Sequence, residues 1–365
     1  MYDIIVSGYY GFHNSGDDAI LHAIINNLRS IKQDIKIMVL SKNPEATRKT
    51  YGVDSIDRFN IPAVIKAMKK AKLFLNGGGN LIQDVTSTRS LLYYLGTIYI
   101  AKSMGLKIML YANGIGPVYR KTNRYLTSKI INLVDTITLR EESSKQELEA
   151  LGIRKPEIIV TADPALGLAP ASSEEIDSIL AKENISTDSP LVCFSIRKWP
   201  GYERYSQVLA QAADYMAERY NIMPVFLPMH FPSDLAVAED MASRLKHPSY
   251  ILRNKYDIFQ TLGIVSRFDL VLGMRLHALI YAVNLSVPVI GLIYDPKVQG
   301  FLEYVNQPSA VDVADLDIER LKALIDDVWN RKDEIKSQLK AENAELKRKA
   351  LQNAEIASEL LERNR

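Results

Sequence analysis

The residues able to do chemistry fall into two sets of opposite character. In the second half of the chain, Gly273-Met-Arg-Leu-His277 puts a glycine between an apolar strand-like run and a helix start. Free N–H groups and the positive end of a helix dipole there attract an anion. Arg275 adds a planar fork matched to carboxylate or phosphate, and His277 can give or take a proton near neutral pH. Arg197 and Lys198 close another strand-like run, His230 follows a third, and Lys297 stands in Tyr294-Asp-Pro-Lys-Val. The first half offers Asn14, Asp17 and Asp18 ahead of an apolar helical run over 19–28, then Asn76-Gly-Gly-Gly-Asn80 with Asp84. The cations suit a compact anion. Carboxylates at Asp17 and Asp18 suit a helix dipole but repel an anion, so this half fits a neutral, hydroxyl-rich ligand such as a sugar.

Each of these features has a plainer structural reading. Gly77-Gly-Gly79 allows close approach of backbone to ligand or makes a tight turn. Asp84, expected a turn into the following helix, accepts from a ligand hydroxyl or serves the helix start. His277 is an acid–base group or a satisfied core histidine; Arg275 two residues away favours the first. His230 stands evenly between a site and a structural role. Arg197, Lys198 and Lys297 line a site or are solvated charges at strand ends. The segment 119–129, Tyr-Arg-Lys-Thr-Asn-Arg-Tyr followed by Lys129, is a solvated basic helix face or a surface that rests on anionic lipid headgroups.

The elements that must position these residues alternate as strand, loop, helix. Strands are expected over 4–7, 35–40, 73–75, 107–112, 136–139 and 158–160, with helices of 3.6 period between them, as over 62–70 and 91–104. The rhythm breaks near Asp163-Pro164 and resumes with strands over 191–196, 223–227, 268–272 and 287–293. This predicts an α/β protein with two Rossmann-like domains, residues 1–169 and 170–315, whose strand carboxyl ends face one cleft. Residues 316–365 read as a C-terminal helical segment with mixed charges.

Composition narrows the classes. A chain of 365 residues with 47% apolar and 24% charged residues is a soluble two-domain type. A formal net charge of +2 gives no global field to recruit nucleic acid. The single cysteine, Cys193, rules out an intramolecular disulfide and reads as a small core residue. Five scattered histidines show no metal-ligand spacing. No secretory leader and no apolar run long enough for a bilayer is evident, so the expected place is the cytoplasm, with the inner face of the membrane reached through 119–129.

Gly8-Tyr-Tyr-Gly-x-x-Asn14-x-Gly16-Asp-Asp18, Asn76-Gly-Gly-Gly-Asn-Leu-Ile-Gln-Asp84, Gly114-Ile-Gly-Pro117, Asp163-Pro164, Ser195-x-Arg197, His230-x-x-x-Asp234 and Met274-Arg-Leu-His277 together resemble the polysaccharide pyruvyl transferase family. The resemblance runs in order over residues 1–305 and is nearest to the CsaB-like enzymes that modify secondary cell-wall polymers for S-layer anchoring. It implies a GT-B-like fold, phosphoenolpyruvate as co-substrate without a further cofactor or metal, and a ketal-linked pyruvate on the N-acetylmannosamine of a lipid-linked saccharide. On that footing Arg197, Lys198, His230, Gly273, Arg275 and Lys297 would bind the donor. Asn14, Asp17, Asp18, Asn80 and Asp84 would hold the acceptor. His277 and Arg275, with Asp17 or Asp18 taking the hydroxyl proton, would be catalytic. The competing readings are a nucleotide-sugar glycosyltransferase of the same fold and a non-catalytic sugar-binding protein.

Overall fold

The computed structural model describes residues 1–363. The chain divides into two compact units, residues 1–167 with 346–365, and residues 168–345. The first unit runs β1 (Ile4–Ser7), α1 (Ser15–Ile31), β2 (Ile37–Ser41), α2 (Pro44–Tyr51), β3 (Asp54–Asp57), α3 (Ile61–Met68), β4 (Leu73–Ile82), α4 (Thr88–Ser103), β5 (Lys107–Ile115), α5 (Lys121–Ile131), β6 (Thr136–Leu139), α6 (Glu142–Ala150) and β7 (Glu157–Val160). Its seven strands form an all-parallel sheet in the order β3-β2-β1-β4-β5-β6-β7. The inner strands β1 and β2 are apolar, fully buried runs because a parallel sheet is covered on both faces. Along β1, Ile5 packs on the side of α3, α4, α5 and α6, while Ile4 and Val6 pack on the side of α1.

A short 3-10 helix (Pro164–Gly167) ends this stretch. The second unit follows with α7 (Ser173–Lys182), β8 (Leu191–Ser195), α8 (Tyr202–Tyr220), β9 (Met223–Phe226), α9 (Ser233–Arg244), β10 (Tyr250–Ile251), α10 (Ile258–Val265), β11 (Leu270–Gly273), α11 (Leu276–Asn284), β12 (Val289–Ile293), α12 (Pro296–Tyr304), β13 (Ala310–Asp312) and α13 (Ile318–Asn330). Its six parallel strands are ordered β10-β9-β8-β11-β12-β13. The last helix, α14 (Lys332–Glu362), belongs to both units in sequence. Its final turns place Ala354, Ala357, Leu360 and Leu361 in the core beside α1. Asn353 accepts from Thr161 Oγ1 at 2.7 Å and donates to Ala162 O at 3.1 Å.

The α/β architecture expected from the sequence is the one found, with three strands more than foreseen. β3, β10 and β13 are all short edge strands, and an edge strand has too little buried length to print a strong pattern. The triple glycine differs too. It does not make a tight turn; β4 continues through it to Ile82, with a register shift after Gly79. A Cβ on Gly78 would lie 2.1 Å from Ile20 of α1, and Gly78 has φ +62°. Glycine is therefore required there to let α1 lie on the strand. Cys193 is fully buried in β8 and burial pushes its thiol well up, which fits a core residue.

Between β6 and the 3-10 helix lies a buried ionic cluster. Arg140 donates from Nε to Glu141 at 2.9 Å and from a terminal nitrogen to Asp163 at 3.0 Å, and all three side chains are at most 5% exposed. Breaking such a group strands two buried carboxylates. Arg140→Met should cost about 3–5 kcal/mol, read as a fall in the urea midpoint with an unchanged slope; an unchanged midpoint would contradict the assignment.

Candidate active site

In the second unit the cationic residues gather at the carboxyl ends of β8, β11 and β12. Gly273 pairs in register with Ser195 of β8 and Gly291 of β12, and the N–H of Met274 donates to Ser195 O at 2.9 Å. Arg275 is the residue before the first turn of α11. Its guanidinium forks onto Asp234: Nε donates to Oδ2 at 2.8 Å and a terminal nitrogen donates to Oδ1. Asp234 is 2% exposed, and its Oδ2 also accepts from the N–H groups of Met229, 3.2 Å, and His230, 3.0 Å. One carboxylate thus fixes both the loop after β9 and the arginine before α11. His230 is held by an Nδ1 contact to Ser233 Oγ at 2.9 Å. His277, half-buried on the first turn of α11, lies with its ring 6.1 Å from that of Tyr281.

Arg197 is set differently. Its guanidinium lies 4.8 Å from the ring centre of Trp199 and 4.9 Å from that of Tyr294, and it donates to Tyr294 Oη at 3.1 Å. Among the described residues no carboxylate pairs with it, whereas Arg275 has Asp234 and Lys297 has Asp295 at 3.2 Å. Aromatic faces orient a cation without neutralising it. Lys198 is not part of this group. It is exposed, 5.7 Å from the ring of Tyr202, which donates to Asp240 at 2.6 Å. Both residues lie beyond the end of β8, and Arg197 takes the side of Tyr294.

In the first unit Asn14 caps α1, accepting from Gly16 N–H at 3.1 Å. Asp17 and Asp18 diverge on the first turn of that helix. A Cβ on Gly79 would lie 3.3 Å from Asp17 Oδ1, so Asp17 stands over the end of β4. Asp18 instead accepts from Tyr51 Oη at 3.3 Å. Asn80 donates to Gly116 O at 2.9 Å, bracing the end of β5. Asp84 is not in a helix; it lies in the loop before α4. Its oxygens accept from Tyr119 N–H at 2.8 Å, Arg120 N–H at 3.1 Å and Asn123 Nδ2 at 2.8 Å. The structure uses both oxygens to hold the loop into α5.

Three residues of note were given no donor, acceptor or catalytic role. Trp199 and Tyr294 gave no signal beyond aromatic type near a cation. Asn76 is fully buried at the end of β4, beside Ser7 in register. Neither atom of its amide has a hydrogen-bond partner among the described residues. A polar residue inside the apolar run Leu73-Phe-Leu-Asn76 was the available cue. Among the described residues no group of three or more His, Cys, Asp or Glu is arranged to hold a metal ion, and no helix is long and apolar enough to cross a membrane.

This arrangement, with carboxylates and amides at the strand ends of one unit and cations with a histidine at those of the other, has relatives. The sequence matches the polysaccharide pyruvyl transferase family over residues 14–296, and the chain belongs to that family. Among characterised proteins it is similar to the amylovoran biosynthesis protein AmsJ of Erwinia amylovora, 19% identical over 92% of this chain and 94% of that protein. Solved structures share the fold. A glycosyltransferase from Rickettsia africae superposes with a TM-score of 0.66 at 13% identity, covering 99% of each chain. The UDP-GlcNAc 2-epimerase of Neisseria meningitidis, bound to UDP-GlcNAc, gives 0.63 at 14% identity and covers 100% of each. These likenesses make the fold GT-B-like.

Asp84 offers a direct check. Burial pushes its carboxyl up, but the hydrogen bonds from Tyr119, Asn123 and Arg120, with the Arg120 charge, outweigh this and hold it below the usual range. A lowered folded value means stability that is full above the unfolded value, about 4, and lost as the pH falls through the folded one. Asp84→Asn should cost about 1–3 kcal/mol at neutral pH. Melting curves of the two proteins should converge as the pH drops below about 4; a pH-independent gap would contradict the anchor role.

Proposed function

We propose that this protein transfers pyruvate from phosphoenolpyruvate to two hydroxyls of a sugar, forming a ketal and releasing phosphate. The sugar proposed is N-acetylmannosamine on a lipid-linked saccharide, as in CsaB-like modification of secondary cell-wall polymers for S-layer anchoring. An acceptor carried on lipid would be met at the cytoplasmic face of the membrane. The observation that carries the reading is the cationic group of the second unit, in which Arg197 has no carboxylate partner among the described residues and Arg275 stands at a helix start beside His277. Phosphoenolpyruvate carries a carboxylate and a phosphate, and that group supplies matching charge.

The chemistry assigns roles. His277 delivers a proton to the methylene carbon of the enol, leaving a cationic centre at C2. A sugar hydroxyl attacks C2 and gives its proton to a base; Asp17, over the end of β4, is the candidate in the first unit. The C2–O bond to phosphate then breaks with its electron pair going to phosphate, and the second hydroxyl attacks C2 to close the ring, giving its proton to the leaving phosphate. Arg197, Gly273, Arg275 and Lys297 bind the donor, with His230 held beside them by Asp234. Lys198, directed to Tyr202, is given no part in it. Asn14 and Asn80 shape the acceptor side. The reaction so written uses phosphoenolpyruvate as co-substrate and no cofactor.

The test is acceptor-dependent phosphate release from phosphoenolpyruvate with a synthetic N-acetylmannosamine disaccharide. Arg197→Ala should raise KM for phosphoenolpyruvate by about 10- to 100-fold, the worth of a charge-assisted bond. His277→Ala should lower kcat by about 100-fold or more. No release with any such acceptor, together with thermal stabilisation by a nucleotide sugar, would favour the glycosyltransferase reading instead.

A further inference from the structure

Between Asp84 and Asp135 the chain has fifty residues without one carboxylate side chain, and seven of them are Lys or Arg. The whole protein is nearly balanced, with 45 cations and 43 anions, so this is a local charge bias. The segment builds α4 and α5, which pack on each other over the same face of the first sheet. Lys102 and Lys107 pair with Asp135, and Arg124 with Glu147. Arg120 lies near Asp84. Arg89, Lys121 and Lys129 are exposed and make no ion pair among the described residues.

The same surface carries apolar side chains that the fold leaves outside. Val85, Leu92, Tyr99, Tyr119, Tyr125 and Leu126 are six of the eleven large apolar side chains exposed among the described residues. Tyr119 is 70% exposed, Tyr125 62% and Tyr99 57%. Helical spacing aligns them with the cations: Arg89, Leu92 and Tyr99 share one face of α4, and Lys121, Tyr125 and Lys129 one face of α5. Gly96, between Leu92 and Tyr99, has open space above it, so no side chain interrupts the stripe.

We propose that the outward face of α4 and α5 docks on an anionic lipid bilayer. Unpaired cations supply attraction to acidic headgroups, tyrosines favour the headgroup level, and aliphatic tips at Leu92 and Leu126 gain by entering the acyl boundary. A second copy of the chain does not fit, because apposing two such faces would bring like charges together. The aliphatic tips favour a bilayer over a nucleic acid, whose contacts would be phosphates and stacked bases. The surface draws nothing from the donor chemistry, and so it stands apart from the reaction proposed above.

The experiment is sedimentation of the full chain with phosphatidylcholine vesicles and with vesicles containing about one-third phosphatidylglycerol, at physiological salt. The protein should bind the anionic vesicles and leave the neutral ones. The K121Q/K129Q double variant should lose about 30-fold in vesicle affinity, while L92S/L126S should weaken binding and keep its salt dependence. Both should melt as the wild type does and treat a soluble acceptor as it does. No preference for anionic vesicles, wild-type binding by K121Q/K129Q, or binding to poly(U) without binding to vesicles would overturn the proposal. Vesicle binding without pyruvyl transfer would overturn only the reaction; transfer to the soluble acceptor without vesicle binding would overturn only the surface.

Discussion

The pairing of Asp234 with Arg275 organises the chemistry of the second unit. Asp234 sits on the first turn of α9, nearly inaccessible, and its carboxylate takes two backbone N–H groups as well as the arginine fork. A buried carboxylate held this way is tolerable only while the cation stays. The pair therefore fixes the loop carrying His230 to the residue that opens α11, and His277 follows two residues on. It also sets the local charge balance. Arg275 is paired with a carboxylate within the protein, whereas Arg197 is held by aromatic faces and the Tyr294 hydroxyl.

The first unit solves a different problem. Asp17 stands over the end of β4, where α1 lies close on that strand. Gly77 and Gly78 provide the room, since Tyr10 Oη and Ile20 occupy the places where their Cβ atoms would be. Tyr10 seals the contact by donating to Gly77 O at 2.6 Å. The glycines thus let protein pack on protein.

The anchor at Asp84 links site and surface. By holding Tyr119, Arg120 and Asn123 it fixes the entry to α5, the helix whose outer face carries Lys121, Tyr125 and Lys129. An acidic residue at the boundary of a carboxylate-free stretch supports that stretch from beneath and leaves its outer charge unchanged. The family relationship concerns pyruvyl transfer to a polysaccharide, whereas the proposal for the α4–α5 face concerns where the protein would work.

The sequence by itself determined the parallel two-unit α/β architecture, because strands covered on both faces must be apolar runs and helices between them must keep a 3.6 period. It also determined which residue types lie at strand ends: the amides and carboxylates of one half and the cations and His277 of the other. Only the tertiary structure decided their partners. Arg275 meets a carboxylate 41 residues away in sequence, Arg197 meets Tyr294 97 residues away, and Asp84 is taken up by a loop 35 residues on. Local periodicity reports the environment of a residue's own turn or strand. A pairing across a sheet depends on strand order, which places Gly273 beside Ser195 and Gly78 beneath Ile20, and strand order is a property of the folded chain.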